Sequence, residues 1–319
     1  MFSKIIGHFL CAYVLCSVIG AAMIGAALSR PAFAEEKTFL VGFAQDNMAE
    51  QWRSQQVYDL ELALKKYPSI KFIHTDARGQ VAKAVSDIEG LRDMGIDLLV
   101  VSPQNPVLME PIISAVYQSG TPVVLLTRYI QGDNYTTFIA PNDYAIAREA
   151  ADEISKSLGG TGDVLILQGL STASTAIDRT HGFLKQLKNY KNVKVAAIVP
   201  GNYLRADAVK VVAAALEKGL HFDAIYSQSD NMAEGARIAL RAFGIDPKTI
   251  PIVAIDYIAL AKGAIKAGEQ VASFTYPTCG QEASEVIWSI ANGKTVEKKI
   301  IVASQKITAS NVDEIEPLF

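Results

Sequence analysis

The amino-acid sequence predicts an α/β protein built from two doubly wound parallel-sheet domains. Three observations carry this. Short apolar runs rich in β-branched and aromatic residues alternate with segments of helical periodicity from Thr38 onward. The alternation then runs through a second time, giving two similar halves with a cleft expected between them. Polar and aromatic residues recur just after the strand-like runs, on the edge where open α/β sheets hold ligands. The chain has 319 residues, a length that suits roughly two domains. It is 50% hydrophobic and 20% charged, the composition of a globular protein.

In the first half the strand-like runs are residues 39–44, 70–75, 98–102, 123–127 and 137–140. The first four read as strands buried on both faces. Between them Val57, Leu60, Leu64 and Tyr67 recur at helical spacing, as do Val81, Val85, Ile88 and Leu91. Successive strands start roughly 25 to 30 residues apart, the spacing of right-handed βαβ units. The second half opens with a helical segment, 144–158, and a turn at Gly159-Gly-Thr-Gly162. Strands follow at 164–167, 193–199, 224–227, 252–256 and 271–275, with helices near 206–218, 232–243 and 257–267. The tail adds a helix over 281–292, with Val286, Ile287 and Ile290 on one side, and a late strand over 300–303. These two could return the chain to each domain in turn.

The N-terminus has the form of an export signal. Lys4 lies in a short leading region, residues 9–28 carry no charge, and Ala32-Phe33-Ala34 fits the small-x-small cleavage rule, with cutting before Glu35. The competing reading is an uncleaved anchor, because about 20 apolar residues can span a bilayer. Cys11 and Cys16 fall inside this segment, and neither follows a small residue as lipoprotein cleavage requires. A mature chain keeps only Cys279, so it forms no internal disulfide. It also keeps 28 basic against 33 acidic residues, a net charge of −5, which gives no support to a nucleic-acid surface.

The stretch 162–183 is the most informative. An apolar strand runs into a small-residue loop, Gly169 to Thr175, and then into a helix. Such a loop lets backbone and ligand come close. Arg179 follows in the first turns of that helix, where five fixed donors suit a hydroxyl-rich or anionic ligand. The plainer alternative is a solvated helix residue paired with Asp178 or another acid. On the ligand reading, Arg179→Ala weakens binding and leaves the ligand-free protein almost as stable as before.

Other chemistries lack their signatures. Gly159-Gly-Thr-Gly162 has no Gly-Lys-Ser/Thr ending and precedes a strand, so it is a turn rather than a phosphate loop. His8, His74, His181 and His221 show no metal-ligand spacing. Gly169-Leu-Ser-Thr-Ala173 lacks the second glycine of a nucleophile elbow.

The strand ends supply the candidate binding residues. Gln45, Asp46, Trp52 and Arg53 follow the first strand, Gln104 the third and Arg128 the fourth. In the second half come Arg179, then Asn202 and Tyr203, then Ser229 and Asp230, then Asp256 and Tyr276. Flat aromatic faces stack on sugar C–H faces, and planar carboxylate, amide and guanidinium groups bond hydroxyls in pairs. Singly each has a plainer role: Trp52 as a core anchor, Asp256 as a helix cap, Tyr203 as an ordinary loop aromatic.

From residue 37 to 311 the chain resembles the periplasmic substrate-binding proteins of sugar ABC transporters, of the ribose-binding type. The motifs are Val41-Gly-Phe-Ala-Gln-Asp46 with Glu50-Gln-Trp-Arg53, and Gly120-Thr-Pro-Val-Val-Leu-Leu-Thr-Arg128. Leu167-Gln-Gly169 with Ala176-Ile-Asp-Arg179 and Gly182-Phe183 follow. Ser227-Gln-Ser-Asp-Asn-Met-Ala-Glu-Gly235 and Val253-Ala-Ile-Asp256 complete the set. The Trp-Arg and Ala-Ile-Asp-Arg forms look closest to members that bind galactofuranose-like sugars.

The resemblance implies the type I periplasmic binding protein fold. Its two α/β lobes close over one monosaccharide about three hinge crossings, near 140–142, 275–277 and Gln305. The lobes would be 35–140 plus 277–304 and 141–276 plus 305–319. The late helix would belong with the first and the last strand with the second. By position Arg128, Arg179, Tyr203, Ser229 and Asp256 match the family's ligand contacts. The implied partners are a sugar or sugar-like solute and a membrane ABC permease, with no cofactor and no catalysis.

Two departures stand out: Thr127 where the family has Asp, and Ser229 where it has Asn. Losing that carboxylate sets Arg53, Arg128 and Arg179 against Asp46, Asp230 and Asp256, which points to a partly anionic ligand such as a sugar acid. Two alternatives accompany this reading: a sensor of the same fold feeding a chemoreceptor or sensor kinase, and an exported enzyme using Asp230 or Asp256 as acid or base. A transcription regulator is excluded, because the export signal stands where a DNA-binding head would be.

Overall fold

The computed structural model describes residues 38–319; the predicted export signal lies outside them. The first sheet holds β1 (Phe39–Gln45), β2 (Ile70–Asp76), β3 (Leu98–Val101), β4 (Val123–Leu126), β5 (Thr137–Ala140) and β11 (Lys299–Ile301). Their spatial order is β11-β5-β4-β3-β1-β2, and every neighbouring pair is parallel. The second sheet holds β6 (Thr161–Gln168), β7 (Asn192–Pro200), β8 (Ala224–Ser227), β9 (Ile252–Asp256), β10 (Ala272–Thr275) and β12 (Lys306–Thr308). Its order is β12-β10-β9-β8-β6-β7, with β12 alone antiparallel.

The central strands are apolar throughout because both faces are covered. In β3, Leu98 and Val100 pack with Leu60 and Ile287 on one face, while Leu99 and Val101 pack with Ile88 and Ile113 on the other. The helices supply these covers. On the first sheet they are α1 (Gln51–Leu64), α2 (Val81–Asp93), α3 (Glu110–Gln118) and α9 (Gly280–Ala291); α1 packs beside α9. On the second they are α4 (Asp143–Ser157), α5 (Ser174–Leu187), α6 (Arg205–Glu217), α7 (Asp230–Ala242) and α8 (Ala259–Ala267). Gly182 of α5 faces the Tyr144 carbonyl of α4, leaving no room for a side chain between these helices.

The chain crosses between the sheets three times: after Ala140, after Thr275 and after Ile301. The crossing segments are tied to one another. The Thr275 N–H donates to the Gln305 carbonyl (2.9 Å), the Gln305 N–H to the Thr275 hydroxyl (2.8 Å), and the Val302 N–H to the Ala140 carbonyl (3.0 Å).

The structure corrects the tail. The predicted strand over 300–303 is β11 and joins the first sheet, not the second. The second sheet receives β12, which the sequence reading did not contain. It is three residues long, Lys-Ile-Thr, with only Ile307 fully buried, so it carries almost no periodic signal. Helix α3 was also missing; Pro111 in its first turn extends the look of the preceding Pro-rich loop. The predicted turn over 159–162 is shorter than expected: Gly159 and Gly160 turn at φ 60° and 85°, while Thr161 and Gly162 already belong to β6.

Candidate ligand-binding site

The carboxyl ends of both sheets face each other across a narrow cleft. Its inner cavity, of about 20 Å³ with the lobes shut, is walled by Glu50, Trp52 and Arg53 of the first lobe, Thr175, Arg179, Tyr203 and Asp256 of the second, and Tyr276 at a crossing. A neighbouring chamber shares Glu50, Arg53 and Tyr203 and adds Asp46, Gln104 and Arg128. Of the thirteen candidate residues, ten therefore stand on these walls, Asn202 among them. Gln45, Ser229 and Asp230 do not.

Those three act from behind. Gln45 donates to the Gln56 side chain (3.1 Å) and the Arg53 carbonyl (3.3 Å), fixing the start of α1. Ser229 caps α7, its hydroxyl accepting from the Met232 N–H (3.3 Å). Asp230 is fully buried and accepts from Gln270, from the Ser273 hydroxyl and from the Tyr257 N–H, each at 2.7 Å. It thus holds the backbone beside Asp256, and an acid–base role in the cleft is not open to it.

Backbone strain gathers on the walls. Thr127, Tyr203 and Asp256 adopt φ of 62°, 65° and 116°. A β-branched residue at positive φ is a true outlier, and such strain persists only where surroundings over-determine it. The Tyr203 ring lies directly against Gly169, where any Cβ would collide with it. The small-residue loop therefore exists to admit a tyrosine side chain, whose hydroxyl meets that of Thr175 at 3.0 Å.

The charges are arranged as pairs. Arg179 is not a solvated residue: it is 2% exposed, its Nε donates to Asp143 at 2.7 Å, its Nη1 to the Gln228 carbonyl, and its guanidinium lies 4.4 Å from the Tyr276 ring centre. Burial disfavours that cation, but Asp143, Tyr203, Tyr276 and Asp256 together more than offset it. The Tyr276 hydroxyl also donates to Asp143 (2.9 Å). Arg128 pairs with Asp46 at 2.5 Å. Arg53 donates to the Thr127 hydroxyl (2.9 Å) and the Gln56 carbonyl oxygen (3.1 Å), with Asp46 and Glu50 at 3.7 and 3.9 Å from its Nε. Thr127 thus keeps the place of the family's carboxylate but offers Arg53 a neutral partner, while Asp46 takes over Arg128.

Asp143 and Glu50 were missed by the sequence reading. Asp143 looks like the first residue of a helix capped by Asn142, and Glu50 is itself the cap of α1, accepting from the Trp52 N–H at 3.0 Å. Both signals read as capping. Counting them, and leaving out Asp230, turns the expected balance of three against three into an acidic excess: Arg53, Arg128 and Arg179 face Asp46, Glu50, Asp143 and Asp256. The premise for an anionic ligand is removed. Burial pushes Glu50 up to about 6, and pushes Asp256 well above the usual carboxylate range despite Arg179. The Asp256 carboxylate has no hydrogen-bond partner among the described residues.

Trp52 has a double role. Its indole N–H donates to the Tyr276 carbonyl (3.1 Å) and its ring packs into the core of the second lobe, so it pins the lobes together as well as lining the cavity. On the side away from the crossings, the Tyr129 N–H donates to Ser174 (3.1 Å), its hydroxyl to Asp178 (3.0 Å), and Thr172 to the Gln104 carbonyl (3.0 Å). The lobes are therefore closed. His221 lies far from all this, at the amino-terminal edge of the second sheet, 3.1 Å from Asp223.

Two lobes shut over a polar, aromatic-walled cavity define a solute-binding protein rather than an enzyme. The chain belongs to the family described as periplasmic binding protein domain, whose model matches residues 41–295. It is 27% identical over 251 residues to the xylitol-binding protein of Mycolicibacterium smegmatis, covering 78% of this chain and 71% of that one. To the galactofuranose-binding protein of Escherichia coli it is 26% identical, over 73% and 76% of the two chains. It superposes with a TM-score of 0.82 on the fructose-binding periplasmic domain of a hybrid two-component system, at 26% identity, covering 86% and 92%.

Proposed function

We propose that the protein captures one sugar or polyol molecule in the inter-lobe cavity and delivers it to a membrane ABC permease. The observation that carries this is the cavity wall: donors, acceptors and aromatic rings from both lobes converge on one small space between them. Ligand contacts made to both lobes at once favour the closed form, because only that form offers them together. The ligand-binding set is Asp46, Trp52, Arg53, Gln104, Arg128, Arg179, Tyr203, Asp256 and Tyr276, joined by Glu50 and Thr175. Gln45, Ser229 and Asp230 position them.

On this reading the first lobe comprises 35–140 with 277–304 and the second 141–276 with 305–319. The mature periplasmic chain begins at Glu35 after removal of the export signal. A sensory role, with the closed form read by a sensor kinase, is the second reading; the likeness to a two-component receptor domain favours it. Growth of a deletion strain on the bound solute separates them. Loss of uptake supports delivery to a permease, and intact uptake with a lost transcriptional response supports sensing.

A further inference from the structure

We propose that the solute is a polyhydroxylated compound bearing a protonated amine, an amino sugar or amino-polyol, whose ammonium is held between Asp256 and Glu50. The proposal rests on the reading of the cleft as a sugar or polyol site. Arg53, Arg128, Arg179, Asp46, Glu50, Asp143 and Asp256 are each at most 8% exposed, so each needs a partner. Arg128 is committed to Asp46 and Arg179 to Asp143. That leaves Glu50 and Asp256 without a cation of their own: Asp256 feels the field of Arg179, already paired, and more weakly that of Arg53. Arg53 reaches Glu50 only at 3.9 Å and spends its Nη1 on neutral Thr127 and Gln56.

Asp256 accepts no hydrogen bond among the described residues, yet it stands in the cavity wall together with Glu50. The cleft is thus one positive charge short, and the shortage lies where the solute sits. An ammonium supplies the charge and three donors, which a neutral hydroxyl does not. Burial makes both carboxyls retain protons more strongly than usual in the ligand-free protein. An arriving ammonium takes the place of such a proton, which passes to solvent. The remaining ligand hydroxyls face Arg53 and Arg179.

The test is calorimetric titration of the chain from Glu35 with matched pairs: glucosamine and glucose, galactosamine and galactose, glucamine and glucitol, and an aminocyclitol with its parent cyclitol. The expected result is that the amine of at least one pair binds tenfold or more tightly than its hydroxyl counterpart. Glu50→Gln, which keeps the helix-capping oxygen, should cut that ratio several-fold without lowering the unfolding temperature. Equal or tighter binding of the hydroxyl member in every responding pair overturns the proposal and leaves the sugar or polyol site standing. An amine preference that Glu50→Gln and Asp256→Asn both leave intact also overturns it. Binding by no member of any pair removes both the proposal and the site on which it rests.

Discussion

Replacing Arg179 by alanine should cripple the ligand-free protein, not only its binding. The guanidinium is nearly sealed from water and its Nε lies 2.7 Å from Asp143. Truncation leaves Asp143 buried with the Tyr276 hydroxyl as its one remaining side-chain donor. Breaking a buried ion pair by removing one member costs about 3–5 kcal/mol, because the other charge stays uncompensated. At about 2–4 °C per kcal/mol for lobes of this size, the unfolding temperature should fall by about 6–20 °C at pH 7.5. This reverses the expectation, drawn from sequence, that stability would scarcely change.

The sign with pH follows from burial, which already raises the Asp143 carboxyl even beside Arg179. Without the arginine its folded-state affinity for a proton rises further, so the penalty is complete only above that pKa and is absent once both states are protonated. The loss should therefore shrink on going from pH 7.5 to pH 4.5, and adding Asp143→Asn should restore a large part of it. The assay is circular-dichroism melting without ligand. An Arg179→Ala protein that melts within 2 °C of the parent at pH 7.5 would refute the buried pair.

Gly169→Ala forces the Tyr203 ring out of its seat against the loop, and should weaken solute binding at least tenfold, read by titration; unchanged affinity would mean that Tyr203 does not shape the cavity. Tyr129→Phe removes one of the bonds that latch the lobes opposite the hinge, and should lower affinity by about 0.5–1.5 kcal/mol while small-angle scattering shows a more open ligand-free form. Burial raises Glu50 and Asp230 to about 6 each and raises Asp256 further, so the folded state binds protons that the unfolded state has released. Ligand-free stability should consequently rise as pH falls from 7.5 to 5.5; a melting temperature highest at or above pH 7.5 would contradict this.

The fold was largely legible in the sequence because its strands are buried on both faces. Runs such as Leu98–Val101 and Val123–Leu126 have no polar alternation to confuse them. What escaped were short elements: β12, with one buried side chain, and α3, a nine-residue helix whose buried Ile113 and Val116 follow a Pro-rich loop. Sequence placed most of the cavity wall because strand-end residues of an open sheet converge by topology. It failed where a side chain has two duties. Glu50 caps α1 and Asp143 opens α4, and either role accounts for an acid at a helix start. Nothing in their local spacing reveals that the first lines the cavity and the second lies within hydrogen-bonding distance of an arginine 36 residues further on. Asp230 erred the other way: it sits beside Ser229 at a strand end, yet points into the lobe toward Gln270 and Ser273.

The most direct measurement is thermal unfolding of the chain from Glu35 against neutral and amine-bearing sugars and polyols, repeated with Asp256→Asn. At 100 times its dissociation constant, a solute bound only by the folded state adds about 2.7 kcal/mol, a shift of several degrees. The expected result is such a shift with at least one compound, lost in Asp256→Asn. A panel without any shift, or a shift that survives Asp256→Asn undiminished, would contradict a solute held between the two lobes at this cavity.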